Sequence, residues 1–178
     1  GLVALATVSD VVPLQGENRI FVSAGLAALR SSPHPGIRAL LECARVGTLP
    51  LTTDDVAFRI GPRLNAAGRL SKPGVVIDLL TSTDLAEARR LARQLADANA
   101  TRRRIEQKVL VAATEQAEEL LSREERRSLV VHGEGWHRGV IGIVAARLVD
   151  RHQRPTVVIG FEGSDGRGSC RSSQDVDL

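Results

Sequence analysis

The sequence predicts an α/β fold in three stretches, and three observations carry that prediction. From Gly1 to about Leu80, short apolar patterns are cut repeatedly by turn residues. From about Asp84 to Arg126 runs a helical pattern that contains neither Gly nor Pro. After Ser128, two β-branched runs are separated by a glycine-rich loop and a further helical pattern. With 178 residues, 43% hydrophobic and 25% charged, the composition is that of a globular protein and excludes a disordered tail or a fibre. A chain of this length buries roughly 70% of its unfolded surface on folding.

In the first stretch the breaks fall at Pro13, Gly16-Glu17-Asn18, Pro33-His34-Pro35-Gly36, Gly47, Pro50, Gly61-Pro62 and Lys72-Pro73-Gly74. Leu2–Val8 reads as a buried strand that ends at Asp10. Ile20–Leu29 and Ile37–Cys43 read as helices, the first weakened by Gly25. Thr52-Thr53-Asp54-Asp55 is a helix start, with Thr52 or Thr53 as cap and acids in the first turn.

The second stretch reads as one helix capped by Thr83, with a stripe through Leu85, Ala88, Leu91, Leu95, Ala98, Ile105, Val109, Ala112 and Leu120. Arg102 falls on that stripe, and Arg102-Arg103-Arg104 offers a solvated face or a nucleic-acid contact. A helix from Asp84 to Arg126 is roughly 60 Å long, enough to connect two lobes. In the third stretch, Leu129–His132 and Pro155–Phe161 read as strands around a helix at Val140–Asp150, a right-handed parallel unit. Gly168–Ser173 reads as a further strand or loop after a turn at Gly163–Gly166.

Net charge +3 mildly favours a polyanionic partner; the 24 basic residues are all arginine except Lys72 and Lys108. Cys43 and Cys170 read as reduced thiols, no apolar run approaches the ~20 residues of a membrane span, and no leader is visible. A cytoplasmic protein is expected. The absence of Met and the apolar start at Gly1 lead to the expectation of a segment from a longer protein.

Three constellations could carry chemistry. Thr7-Val8-Ser9-Asp10-Val11-Val12-Pro13-Leu14 places a lone acid, a hard-metal ligand, after an apolar element; the plainer reading is a turn residue. Gly61-Pro62-Arg63-Leu64-Asn65-Ala66-Ala67-Gly68-Arg69 combines small residues with the phosphate donors Arg63, Asn65 and Arg69, or is a tight turn between helices. Gly135-Trp136-His137-Arg138-Gly139-Val140-Ile141-Gly142 sets a loop beside a helix N-terminus, and Gly168-Ser169-Cys170-Arg171-Ser172 offers amides, hydroxyls and a guanidinium for a phosphate. The glycine spacing does not match a dinucleotide-binding turn.

In this order the blocks resemble the DHH phosphoesterase superfamily, and within it the RecJ-type single-strand DNA exonucleases; the resemblance spans essentially the whole chain. It implies residues 1–82 as the C-terminal part of a DHH domain, 83–127 as the connecting helix and 128–178 as the start of a DHH-associated substrate-binding domain, with a cleft between the domains. It implies Asp10 as a metal ligand and His137 as a catalytic group. Arg63, Asn65, Arg69, Gly168, Ser169, Arg171 and Ser172 become substrate- and phosphate-binding residues. It implies two Mn²⁺ or Mg²⁺ ions, single-stranded DNA as partner and 5′→3′ digestion in DNA repair and recombination. The Asp-His-His signature itself is absent, so these residues alone are expected to be inactive. The other readings are a DHH enzyme for short oligoribonucleotides or cyclic dinucleotides, and a non-catalytic single-strand-binding relative.

Overall fold

The computed structural model describes residues 1–47, 50–70 and 73–173. Lys72, counted among the turn signals, and the terminal Asp175–Leu178 run lie outside the described residues. The chain divides into two compact units, Gly1–Ala100 and Thr101–Leu178.

The first unit is helical: α1 (Leu2–Ser9), α2 (Gly16–Arg30), α3 (Pro35–Cys43), a π-helical turn (Asp55–Ile60), α4 (Gly61–Leu70), α5 (Gly74–Thr81) and the start of α6 (Leu85–Arg123). The expected strand at Leu2–Val8 is therefore a helix. A short apolar run cannot be assigned by hydrophobicity alone. Its buried positions, Ala4, Leu5 and Val8, follow helical rather than alternating spacing. Ala4 seats against Gly25 of α2, where an added Cβ would lie 2.4 Å from the Ala4 methyl. The glycine that weakens the helix pattern is thus the point where two helices meet. At Gly36 the approach is closer still, because a Cβ there would stand 1.9 Å from the Leu79 carbonyl oxygen of α5.

Side-chain caps mark some of the helix starts and not others: α1, α2 and α5 begin without one. The Thr52 hydroxyl accepts from the Asp55 N–H at 3.2 Å, and the Asp55 carboxylate accepts from the Thr52 N–H at 3.2 Å, a reciprocal capping box. For α6 the cap is Asp84, whose Oδ1 accepts from the Glu87 N–H at 2.6 Å, and not Thr83. The Gly61–Arg69 block is helical, which corrects the tight-turn alternative. Before it the chain widens into the π turn, where the Gly61 N–H reaches back five residues to the Val56 carbonyl. Pro62 has no N–H and would crowd the carbonyl four residues earlier; a wider turn relieves both problems.

Helix α6 spans 39 residues. Its first half packs Ala88, Leu91 and Leu95 into the core of the first unit, and its second half packs Val109, Ala113 and Ala117 into the core of the second. Between them the buried positions are polar: Asn99 and Glu106. Glu106, with a side chain only 5% exposed, is shared by Arg102 of its own helix at 3.2 Å and Arg147 at 2.7 Å.

The second unit adds β1 (Leu129–Glu134), α7 (Arg138–His152), β2 (Thr156–Glu162) and β3 (Asp165–Arg171). The sheet order is β1-β2-β3, with β1 parallel and β3 antiparallel to β2. Leu129, Val131 and Val158 of one sheet face pack with Val140, Val144 and Leu148 of α7. Both cysteines are free thiols, and no helix among the described residues is long and apolar enough to cross a membrane.

His152 closes α7 with its Nε2 buried and without a hydrogen-bond partner among the described residues. Burial lowers its pKa; Arg151 and Arg154 lower it further, against an opposing pull from Glu118. A depressed histidine pKa means the fold favours the neutral ring. Its contribution is therefore complete above the unfolded value of about 6.5 and is lost as pH falls below it, because the unfolded chain takes the proton first. Thermal unfolding at successive pH values should show this loss, and His152→Gln should flatten it; an unaltered slope would assign the effect to another group.

Candidate functional site

The sequence-predicted residues fall into two groups, one in each unit. In the first unit, Asp10 is the C-cap of α1. The next residue, Val11, takes φ 56°, a left-handed conformation usually left to glycine and costing a β-branched residue about 1–2 kcal/mol. The turn is closed by Val12 N–H to the Thr7 carbonyl at 3.1 Å. This strained corner leaves the Asp10 carboxylate exposed, with no hydrogen bond or ion pair among the described residues. Helix α4 lies alongside: the Asn65 amide donates to the Ser9 carbonyl at 3.4 Å, and Arg69 is one turn further on. Gly61 lets the two helices approach, since a Cβ there would stand 2.7 Å from the buried Ser9 Oγ. Arg63 does not join them, because its guanidinium turns back to the Arg59 carbonyl.

Asp10 supplies hard oxygen donors suited to Mg²⁺ or Mn²⁺. One carboxylate does not hold two ions, and among the described residues no group of three His, Cys, Asp or Glu side chains could hold a metal. The residues present thus fit one ligand of a centre and not the centre itself.

In the second unit, three rows of the sheet position the site. Gly133 of β1 and Gly160 of β2 are register partners, and Arg167 of β3 continues their row. Trp136 lies on this shelf: a Cβ on Gly133 would fall 2.2 Å from the indole, and one on Gly160 would fall 2.0 Å from the Trp136 carbonyl oxygen. The loop is tied down by the Gly135 N–H, which donates to the Phe161 carbonyl at 2.8 Å. In the next row Ser169 pairs with Val158 beneath α7. Gly142 is what lets α7 come close, because its Cβ would stand 3.1 Å from the Ser169 Oγ and 3.4 Å from Arg171 Nη2.

Arg171 donates through Nη1 to Ser169 Oγ at 3.2 Å and to the Cys170 carbonyl at 2.6 Å. The hydroxyl proton of Ser169 and the remaining guanidinium donors stay available to an anion. His137 caps α7: its Nδ1 accepts from the Gly139 N–H at 3.0 Å. The neutral ring therefore carries its proton on Nε2, which is a donor. Gly168 faces away from this cluster, toward Ile159 and Val157 on the other side of the sheet, so only its backbone could serve a ligand. Ser172 lies just beyond β3 with its Oγ buried and unbonded among the described residues. Sequence reasoning assigned no site role to Gly133, Gly142, Gly160 and Arg167. For Arg167 a signal existed, because Arg167, Ser169 and Arg171 alternate with the period of a strand face.

No family model matches the chain. The single-stranded-DNA-specific exonuclease RecJ of Dickeya dadantii is 43% identical over 176 residues, covering 96% of this chain and 30% of that protein. The crystal structure of Thermus thermophilus RecJ in complex with Mg²⁺ superposes with a TM-score of 0.80 at 36% identity, over 96% of this chain and 26% of that one. A structure of exonuclease RecJ bound to manganese matches at 0.78 and 34%, over 97% of this chain and 42% of that one. This chain thus spans under half the length of each of them. Over these residues the chain belongs to the RecJ family.

Proposed function

We propose that this chain is part of a metal-dependent 5′→3′ single-stranded-DNA exonuclease acting in DNA repair and recombination. In this reading residues 1–82 close the metal-bearing DHH domain, 83–127 form the connecting helix, and 128–178 begin the substrate-binding domain. The observation that carries it is the donor cluster of Ser169 and Arg171, brought under the Gly142 backbone of α7. Such a set of oriented donors suits a phosphate, and its amides and guanidinium cost little reorganisation when the phosphate arrives. A cytoplasmic setting agrees with the two free thiols.

The residues divide the work. Arg171 and Ser169 hold a phosphate of the strand, and the Gly168 and Ser172 segments supply backbone and hydroxyl groups around it. His137 donates through Nε2 to a phosphate oxygen, and its cap bond to Gly139 fixes the ring for that purpose. Asn65 and Arg69 support the strand in the first unit. Divalent ions, when bound, supply Lewis acidity and a water of lowered pKa. Asp10 offers them one carboxylate, held at the strained end of α1.

The test is Mn²⁺-dependent digestion by the full-length protein of a long single strand and of a dinucleotide. The long strand should be degraded, and Asp10→Ala should lower the rate on the order of 10²-fold or more while the thermal unfolding midpoint holds. Cleavage of the dinucleotide alone would move the protein to the small-substrate phosphodiesterases. Undiminished activity in the variant would make Asp10 a turn residue only.

A further inference from the structure

A second set of anion donors lies in the first unit, away from Asp10. Helices α1 and α2 run antiparallel: a Cβ on Gly1, just before α1, would stand 3.3 Å from the Leu29 side chain near the end of α2. Asp10 caps the opposite end of α1, roughly 12 Å along the helix. Where the chain passes from α2 into α3, a pocket of about 480 Å³ opens, with Arg30, Ser32, Arg38, Leu41, Glu42 and Val46 in its wall. That volume lies within the roughly 300–1,000 Å³ of small-molecule sites. The floor is apolar, because Leu41 is buried and Val46 packs against the core of the first unit. The rim is cationic. Its acid, Glu42, is taken by Arg89 of α6 in a two-pronged ion pair at 2.9 and 3.2 Å. Among the described residues, Arg30 and Arg38 are in no ion pair. Ser32 Oγ accepts from the His34 N–H at 3.3 Å, which leaves its own proton to donate.

We propose that this pocket binds a nucleoside monophosphate, with Arg30, Arg38 and Ser32 on the phosphate and Leu41 and Val46 under the nucleoside. Once Glu42 is matched by Arg89, the positive charges of Arg30 and Arg38 are left over. A phosphate monoester carries about −1.5 to −2 at neutral pH and so matches both arginines, whereas each phosphate inside a strand carries a single charge. One face of α3 supplies a rim cation, part of the floor and the matched acid, because Arg38, Leu41 and Glu42 stand three and four residues apart. The choice of a mononucleotide among organic phosphates rests on the exonuclease reading, since digestion of a strand from its end releases mononucleotides. The pocket is distinct from the Asp10 corner, so a nucleotide held there needs no metal.

The experiment is a calorimetric titration of the full-length protein without divalent metal. It is made in an Arg171→Ala background, so that the donor cluster of the second unit does not contribute. The probes are deoxyadenosine 5′-monophosphate, inorganic phosphate and deoxyadenosine. The monophosphate should bind about ten-fold more tightly than either of the others, because only it engages both rim and floor. Arg30→Gln with Arg38→Gln should weaken it by about ten-fold. Arg19→Gln, which removes a charge from the other end of α2, should leave it within about two-fold. Circular dichroism confirms that each variant is folded. Equal affinity for inorganic phosphate or for deoxyadenosine overturns the inference. So does a double variant that binds like its parent, or a loss in Arg19→Gln as large as in the double variant. Each of these results leaves the exonuclease reading in place, because that reading stands on Mn²⁺-dependent digestion of a long strand. A protein that binds the monophosphate as expected but digests no strand overturns the exonuclease reading and keeps the pocket.

Discussion

Gly160→Ala is expected to destabilise the second unit by about 3 kcal/mol or more, at the upper end of what overpacking costs. The added methyl would lie 2.0 Å from the Trp136 carbonyl oxygen. The methyl is fixed by the backbone and its nearest partner is a backbone carbonyl, so no rotamer change relieves the clash. Either β2 shifts out of register with β1, or the 135–137 loop lifts and breaks the Gly135 N–H bond to the Phe161 carbonyl. Lifting the loop also displaces His137, and with it the cap of α7. The unfolding midpoint should fall by roughly 10–20 °C for a unit of this size. Binding of a phosphorylated strand should weaken as well, through the moved cap. A midpoint within about 2 °C of the parent, on the same scale, would show that the loop yields freely and that the glycine is not required for space.

The second large effect is expected at Glu106. Its carboxylate joins Arg102 of α6 to Arg147 of α7 and is almost fully buried. Removing one member of a buried ionic group costs far more than the group contributes net, because the partners keep their desolvation penalty. Arg147 is half exposed and can return to water, whereas the Arg102 side chain is only 13% exposed. Glu106→Ala should therefore cost about 2–4 kcal/mol in urea unfolding. Glu106→Gln, which keeps the shape and loses the charge, should cost less. Equal losses in the two variants would assign the whole effect to the charge. An unchanged midpoint in Glu106→Ala would mean that packing alone joins α6 to α7.

Much of this protein is legible from local pattern. The long helix follows from 3.6-residue periodicity without a breaker, and its observed end at Arg123 is within a turn of the expected one. The β-loop-α-β unit follows from two β-branched runs around a glycine-rich loop, and its strands pair in parallel as expected. The helix starts at Thr52 and α6 are visible because capping uses residues only a few positions apart, although at α6 the neighbouring Asp84 takes the role expected of Thr83. The motif blocks identify the family because glycine spacing and charged residues are themselves written in the chain.

What needed the tertiary structure depends on partners distant in sequence. Leu2–Val8 is apolar enough for a strand or a helix, and the close seat of Ala4 against Gly25 of α2 appears only when the two elements are packed together. The π turn before Pro62 cannot be read from composition, because it is the local answer to a missing N–H and a crowded carbonyl. Gly142 and Gly160 look like ordinary helix and strand glycines until Ser169 and Trp136 are brought against them from elsewhere in the chain. Glu106 reads as a surface acid on a charged helix, and only the approach of α7 buries it and gives it a second arginine. Periodicity and capping are interactions within a few residues, so the sequence by itself determined the elements. Burial, close backbone approach and shared charges are interactions between elements, and those only the tertiary structure decided.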